Sequence, residues 1–170
     1  AETFGVELDV KKNLDFIGLR GLSFVCNAAY IYSRVRFEEG APERDRPLAG
    51  QSPYLVNAGF FYQYDDKGIS ASLLYNRIGK RIESVGVPMQ NQNEDIPDIY
   101  EMPRNSLDLT FSKKIGKIVE IKAGIQDMLN SKVEYKQFVK LTDDKGGKSE
   151  REQLIRSYRP GVDISVSLRF

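Results

Sequence analysis

The sequence predicts an all-β fold, an antiparallel meander of about seven strands. Apolar and polar residues alternate with a period of two through most of the chain, which places them on opposite faces of extended strands. No segment shows the period of an amphipathic helix, although 153–156 could form one helical turn. Short glycine-containing connections and long polar ones separate the alternating segments, as in antiparallel β proteins.

Six segments show the alternation most clearly. In chain order their apolar members are Phe4, Val6, Leu8 and Val10; Val56, Ala58, Phe60, Tyr62 and Tyr64; Ile69, Ala71, Leu73 and Tyr75; Leu107, Leu109 and Phe111; Val119, Ile121, Ala123 and Ile125; and Ile164, Val166, Leu168 and Phe170. Residues 22–37 are strand-like, but either parity of 30–37 could face outward. We expect ten residues to share one outward face: Phe4, Val6, Leu8, Val10, Leu107, Leu109, Phe111, Ile164, Val166 and Leu168.

The connections alternate in length along the chain. Short turns are expected at 13–21, 65–68 and 115–117, with Gly68 at a position that needs a positive φ. Long polar loops are expected at 38–52, 83–105 and 142–152, and the prolines of the second favour a loop there over a strand. The sixth strand is interrupted after Gln126 and resumes at 133–141. The first and last strands form the sheet edges.

Composition excludes several classes of function. The 170 residues contain 25 Lys and Arg against 24 Asp and Glu, so no basic excess favours nucleic-acid binding. The chain has no histidine, which excludes Ser-His-Asp and Cys-His catalysis and most zinc sites. Its single cysteine, Cys26, excludes an intrachain disulfide, and it is interpreted as a small apolar strand residue. We expect no catalytic residue, no metal and no cofactor.

The pattern is typical of part of a transmembrane β-barrel. The polar parity carries charged or small residues such as Glu7, Asp163 and Ser70, which suit a wet lumen behind a lipid-facing apolar side. Tyrosines lie towards strand ends, as in the aromatic girdles of such barrels: Tyr54, Tyr62, Tyr64, Tyr75, Tyr135 and Tyr158. The alternation ends on Phe170. A soluble β-sandwich or barrel would also alternate, so that alternative stays open.

Several stretches, in this order, resemble barrel strands of TonB-dependent receptors. They are Ser-Pro-Tyr-Leu-Val-Asn-Ala-Gly (52–59), Tyr75-Asn-Arg-Ile-Gly-Lys-Arg81, Arg104-Asn-Ser-Leu-Asp-Leu-Thr-Phe111, Gly124-Ile-Gln-Asp-Met-Leu-Asn-Ser131, and Tyr158-Arg-Pro-Gly161 leading into Ile164-Ser-Val-Ser-Leu-Arg-Phe170. The resemblance covers nearly the whole chain and is greatest to receptors from Bacteroidetes. It identifies residues 1–170 as a C-terminal part of the barrel domain, with the plug domain absent.

The resemblance implies a 22-stranded barrel in the outer membrane that takes up a siderophore, cobalamin, haem or a glycan with energy from TonB. Its implied partners are outer-membrane lipid, the rest of the barrel and its plug, TonB through the missing N-terminal part, and the barrel assembly machinery through the strand ending at Phe170. Two alternatives remain. One is a complete small outer-membrane barrel with a structural or adhesion role, and the other is a soluble ligand-binding β fold.

No ligand-binding residue is assigned from the sequence, but several polar groups are candidates. Gln126, Asp127 and Asn130 could line the lumen, although a bulge or turn that satisfies backbone groups is favoured for them. Residues 79–81 (Gly-Lys-Arg) could contact an anionic ligand or lipopolysaccharide phosphates, against solvated charges at a loop base. The acidic groups Asp65 and Asp66, Asp143 and Asp144, and Glu94, Asp95 and Asp98 are weak Ca²⁺ candidates.

Overall fold

A computed structural model of the chain describes residues 1–88, 96–116, 118–142 and 148–169. Within these residues the strands are β1 (Glu2–Asn13), β2 (Leu22–Arg34), β3 (Tyr54–Tyr64), β4 (Ile69–Ile78), β5 (Arg81–Ser84), β6 (Ile99–Glu101), β7 (Arg104–Ile115), β8 (Val119–Gln126), β9 (Val133–Thr142), β10 (Lys148–Tyr158) and β11 (Asp163–Arg169). Two 3₁₀ turns lie at Asp15–Ile17 and Asp65–Lys67. Gly68 has a φ of +59°, as the sequence predicts.

The main sheet confirms the predicted antiparallel meander. Its order is β1-β2-β3-β4-β7-β8-β11, seven strands joined by antiparallel pairs throughout. The predicted turns at 13–21 and 65–68 connect β1 to β2 and β3 to β4. β1 and β11 are the two edges, and the sheet does not close on itself within the described residues.

A second, four-stranded sheet has the order β10-β9-β6-β5. Each of its strands continues a strand of the main sheet past a short break: β4 into β5, β6 into β7, β8 into β9 and β10 into β11. Their order matches that of β11-β8-β7-β4, so the second sheet extends half of the main sheet beyond the line of breaks. We call this line the junction.

Three sequence predictions are wrong in this second sheet. The stretch 83–105 is not all loop, because it includes the end of β5, the whole of β6 and the start of β7. β10 begins at Lys148, inside the predicted loop 142–152. Residues 153–156 form strand rather than a helical turn, with a register shift between Leu154 and Arg156 where they pair with β9. In each case pairing with a strand distant in sequence overrides the local pattern.

The register divides the main sheet into an apolar and a polar face. Residues opposite each other in an antiparallel pair lie on the same face. One such row runs Leu8, Ala28, Val56; another runs Phe60, Leu73, Leu109, Ile125, Ile164. All ten residues predicted to share a face lie on this apolar face. The same register assigns Tyr30 and Tyr32 to it, which settles the parity of that tail.

Nothing in the described part of the chain packs over the apolar face. The apolar side chains of its two edge strands are largely exposed to solvent. Val6 is 73% exposed and Val166 is 71% exposed. The buried apolar side chains among the described residues are Ile82 and Val133, both in the second sheet. Soluble domains normally bury an apolar sheet face against a second layer. The uncovered face therefore needs a partner or an apolar solvent.

Candidate functional site

Polar side chains gather at the junction on the polar side of the two sheets. A pocket of about 380 Å³ lies there, and its lining residues come from β4, β5, β6, β7, β8 and the residue after β8. They are Asn76, Ile78, Arg81, Glu101, Arg104, Ser106, Asp108, Gln126 and Asp127. The strands break at this level, and side chains from both sheets line one cavity.

Two ion pairs cross this pocket from strand to strand. Arg81 donates from Nε to Glu101 at 2.9 Å, and its Nη2 lies 2.7 Å from the same Oε2 atom. Arg104 donates to Asp127 through Nη2. Both carboxylates are largely shielded from solvent, with side-chain exposures of 14% and 12%. Shielding strengthens such pairs but makes an unmatched partner costly.

The break after β8 is built from two residues in the left-handed region. Asp127 has a φ of +51° and Asn130 a φ of +42°. The Asp127 amide donates to Asp108 at 2.8 Å, and the Asn130 side-chain oxygen accepts from the Gly161 amide. The favoured sequence interpretation, a turn in which Asp and Asn satisfy backbone groups, agrees with this geometry. Gln126 and Asp127 also line the pocket, whereas their position in a barrel lumen stays a prediction.

Unmatched polar atoms remain inside the pocket. Oδ1 of Asp127 and Nε of Arg104 are buried without a hydrogen-bond partner among the described residues. Three carboxylates, those of Glu101, Asp108 and Asp127, face two guanidinium groups, so the lining has one excess negative charge. This arrangement can accept hydrogen bonds from water, or from a hydroxyl or ammonium group of a ligand.

A larger pocket of about 660 Å³ lies among the loops beyond the second sheet. It is lined by 37, 43–47, 85–88 and 96–98 together with Tyr100, Phe138, Val139 and Glu150. The guanidinium of Arg46 lies 5.1 Å from the centre of the Phe37 ring. Burial, followed by the nearby Asp98 carboxylate, raises the pKa of Tyr100, so its hydroxyl remains a hydrogen-bond donor. Mixed aromatic and charged walls suit a polar organic ligand.

On the apolar face, tyrosines mark two levels along β3. Tyr54 begins the strand and lies beside Tyr30, while Tyr62 and Tyr64 lie near its other end. Arg77 lies opposite Val56, next to the row of Tyr54. Its Nε donates to the Tyr54 hydroxyl at 3.3 Å and its Nη1 to Asn105 at 2.7 Å. Sequence reasoning placed the tyrosines at strand ends but missed Arg77, although this arginine interrupts the apolar parity of β4.

The remaining sequence candidates separate from one another. Within 79–81, Arg81 turns to the junction pocket, whereas the ammonium of Lys80 lies over the rings of Tyr100 and Phe138. Asp65 accepts a hydrogen bond from Gln63, and Asp98 accepts one from the Gly86 amide. Cys26 is half-buried on the apolar face, opposite Val10 and Ala58.

Some candidates lie outside the described residues: Glu94, Asp95, Asp143, Asp144 and Phe170. Within the described ranges, no group of three or more acidic or cysteine side chains has a metal-binding arrangement. The helical segments there are the two three-residue turns, and neither has the length or apolar character of a transmembrane helix. The chain matches no protein-family model, no curated protein and no solved structure.

Proposed function

We propose that the chain forms part of the wall of an outer-membrane β-barrel of the TonB-dependent receptor type, and that it takes part in ligand uptake. The observation that carries the proposal is the continuous, uncovered apolar face across seven strands. In lipid such a face needs no second protein layer, because the acyl chains cover it.

The height of this face fits a membrane. β3 has 11 residues including its terminal tyrosines, and thus ten steps from Tyr54 to Tyr64. At about 3.4 Å per residue that length is roughly 34 Å, and a strand tilt of roughly 40° reduces it to about 25 Å, the height of the apolar band in such barrels. Tyr54 and Tyr64 then lie at the two interfaces, where a hydroxyl reaches water while the ring contacts acyl chains.

The polar face suits a lumen. Its side chains bond one another across strands: Asn27 donates to Glu7 at 2.6 Å, and the hydroxyls of Ser70 and Ser112 lie 2.8 Å apart. Apolar residues also lie on this face, among them Val25, Ile31, Leu55, Phe61, Leu74 and Ile78. The junction pocket opens on the polar side, so we propose it as a contact for a hydroxyl-bearing or amine-bearing ligand on its path.

The open edges set a further condition. Unpaired N–H and C=O groups of β1 and β11 would each cost several kcal/mol in lipid. In the membrane both edges therefore pair with further strands, supplied by a longer chain or by other copies.

Thiol labelling in lipid vesicles tests the wall proposal. The native Cys26 lies on the apolar face, and its neighbour Asn27 lies on the polar one. We expect a water-soluble maleimide to react poorly with Cys26 and readily with the variant that combines Cys26→Ser with Asn27→Cys. Equal reaction at both positions would contradict a lipid-facing role. Uptake itself is tested in cells with radiolabelled siderophore, cobalamin, haem or glycan, with and without active TonB.

A further inference from the structure

Two cations lie beside the junction on its apolar side, three residues apart in sequence. They are Arg77, the second-last residue of β4, and Lys80, directly before β5. Neither has a carboxylate within ion-pair distance in the described part of the chain. Among the other cations of the second sheet, Arg81 pairs with Glu101 on the polar side and Lys136 with Glu134 and Glu152. Arg156 lies over the rings of Tyr135 and Tyr158.

Neutral groups hold Arg77 in place. Besides its bonds to the Tyr54 hydroxyl and to Asn105, its guanidinium lies 5.9 Å from the centre of the Tyr54 ring. Tyr75 donates to the same Asn105 oxygen at 2.8 Å, which fixes that amide. Tyr75 also contacts the Arg77 guanidinium. The group is therefore oriented by uncharged partners and keeps its full charge.

Aromatic rings hold Lys80 in a similar way. Its Nζ lies 4.2 Å from the ring centre of Tyr100 and 4.1 Å from that of Phe138. Between the two cations, Gly79 packs so closely on Tyr54 that an added Cβ would lie 2.8 Å from the ring. Close backbone packing and ring contacts keep both cations at the end of the apolar face that borders the junction.

We propose that Arg77 and Lys80 together bind the phosphate of an anionic lipid headgroup. The inference rests on the proposed membrane role. The acyl chains of a lipid would lie along Leu73 and neighbouring residues of the apolar face. Its phosphate would then contact the two cations where this face borders the junction. A guanidinium matches phosphate oxygens through parallel N–H donors, and an ammonium adds a point charge. Aromatic contacts preserve both charges without neutralising them.

Native mass spectrometry of the full chain from neutral detergent tests the proposal. The probes are phosphatidic acid, diacylglycerol with the same acyl chains, and inorganic phosphate. We expect saturable binding of phosphatidic acid and none of diacylglycerol. Arg77→Gln and Lys80→Gln should each weaken phosphatidic acid binding by about tenfold, because each removes a charge-assisted contact. Arg77→Lys keeps the charge but not the parallel N–H donors of the guanidinium, so it should weaken phosphatidic acid binding by less.

Lys136→Gln is the matched control, since Lys136 already has two carboxylate partners. It should bind phosphatidic acid like the original chain. Binding that is unchanged in an Arg77→Gln, Lys80→Gln double variant would overturn the proposal, and so would equal affinity for inorganic phosphate. Protection of Cys26 in each variant reports membrane insertion separately. Loss of that protection in the unaltered chain contradicts the wall proposal, whereas retained protection with unchanged lipid binding contradicts the headgroup site alone.

Discussion

The four strands of the second sheet continue four strands of the main sheet, but the side chains on the two sheets differ. Below the junction, the apolar side of β11 presents Ile164, Val166 and Leu168, all of them more than half exposed. Above it, the corresponding side of the second sheet presents Lys136 with its two carboxylate partners. The same side of the second sheet also carries Ile82, Tyr100, Phe138 and Leu154. The sheet surface therefore changes from apolar to mixed at the level where its strands break.

Under the proposed membrane role, this difference marks a boundary between lipid and water. An ion pair at a water-exposed surface costs little, whereas an apolar strand face in water promotes association. In a bilayer the costs are reversed. The proposed membrane role therefore has the junction near the boundary of the apolar band. Each prediction below changes one of these regions and compares the change with a second variant of the same region.

The largest effect is expected from a charge in the middle of the apolar half. Val166→Arg should destabilise the vesicle-embedded protein by about 2–4 kcal/mol, because an arginine on the lipid face near mid-bilayer loses its hydration. Urea titration in phospholipid vesicles measures the change. Ser165→Arg is the control on the polar face and should change the free energy of unfolding by well under about 1 kcal/mol. Similar losses for both variants would mean that the two faces share one environment.

A smaller effect is expected at the junction. Asp127→Asn keeps the size of the side chain and tolerates the positive φ but removes the charge that Arg104 contacts, so we expect a loss of about 1–2 kcal/mol. Asp127→Ala should cost about 1 kcal/mol more, because alanine also strains at this φ. Unfolding titrations of the two variants separate these contributions. A fully stable Asp127→Asn would show that Arg104 does not depend on the carboxylate.

The main sheet could be predicted from the sequence because its alternation depends only on residues close together in the chain. Leu107, Leu109 and Phe111 need no distant information to be assigned to one face, and the glycine of 65–68 marks its own turn. The uncovered state of the face was predicted from the same pattern together with the Tyr positions. Its contact with lipid stays a prediction.

The second sheet could not be predicted from the sequence because it is defined by pairing between strands that are far apart in the chain. β6 has three residues and exists as strand because β5 and β9 lie on its two sides. The junction pocket likewise combines Arg81 with Glu101 and Arg104 with Asp127, residues some 20 positions apart whose alignment depends on that pairing. Sequence reasoning found Gln126 and Asp127 but had no means of finding Arg104, the cation that Asp127 contacts.

The smallest effect is expected from a change of pH, in the loop that follows β2. The Phe37 amide, followed by Arg34, lowers the pKa of Asp45 below its ordinary value of 3.8. A lowered pKa means that the carboxylate stabilises this loop above about pH 4, and that the contribution is lost as the pH falls through the lowered value. The Phe37 amide resonance should shift over that acid range. An Asp45→Asn variant, as control, should show no such transition.

Single tryptophans test most directly whether the apolar face contacts lipid. The chain contains no tryptophan, so Leu109→Trp on the apolar face and Thr110→Trp on the polar face each provide one reporter. In vesicles we expect brominated acyl chains to quench the fluorescence at position 109 strongly and at 110 weakly, with aqueous iodide giving the reverse. Strong iodide quenching at 109, or equal quenching of both reporters by brominated lipid, would contradict the account.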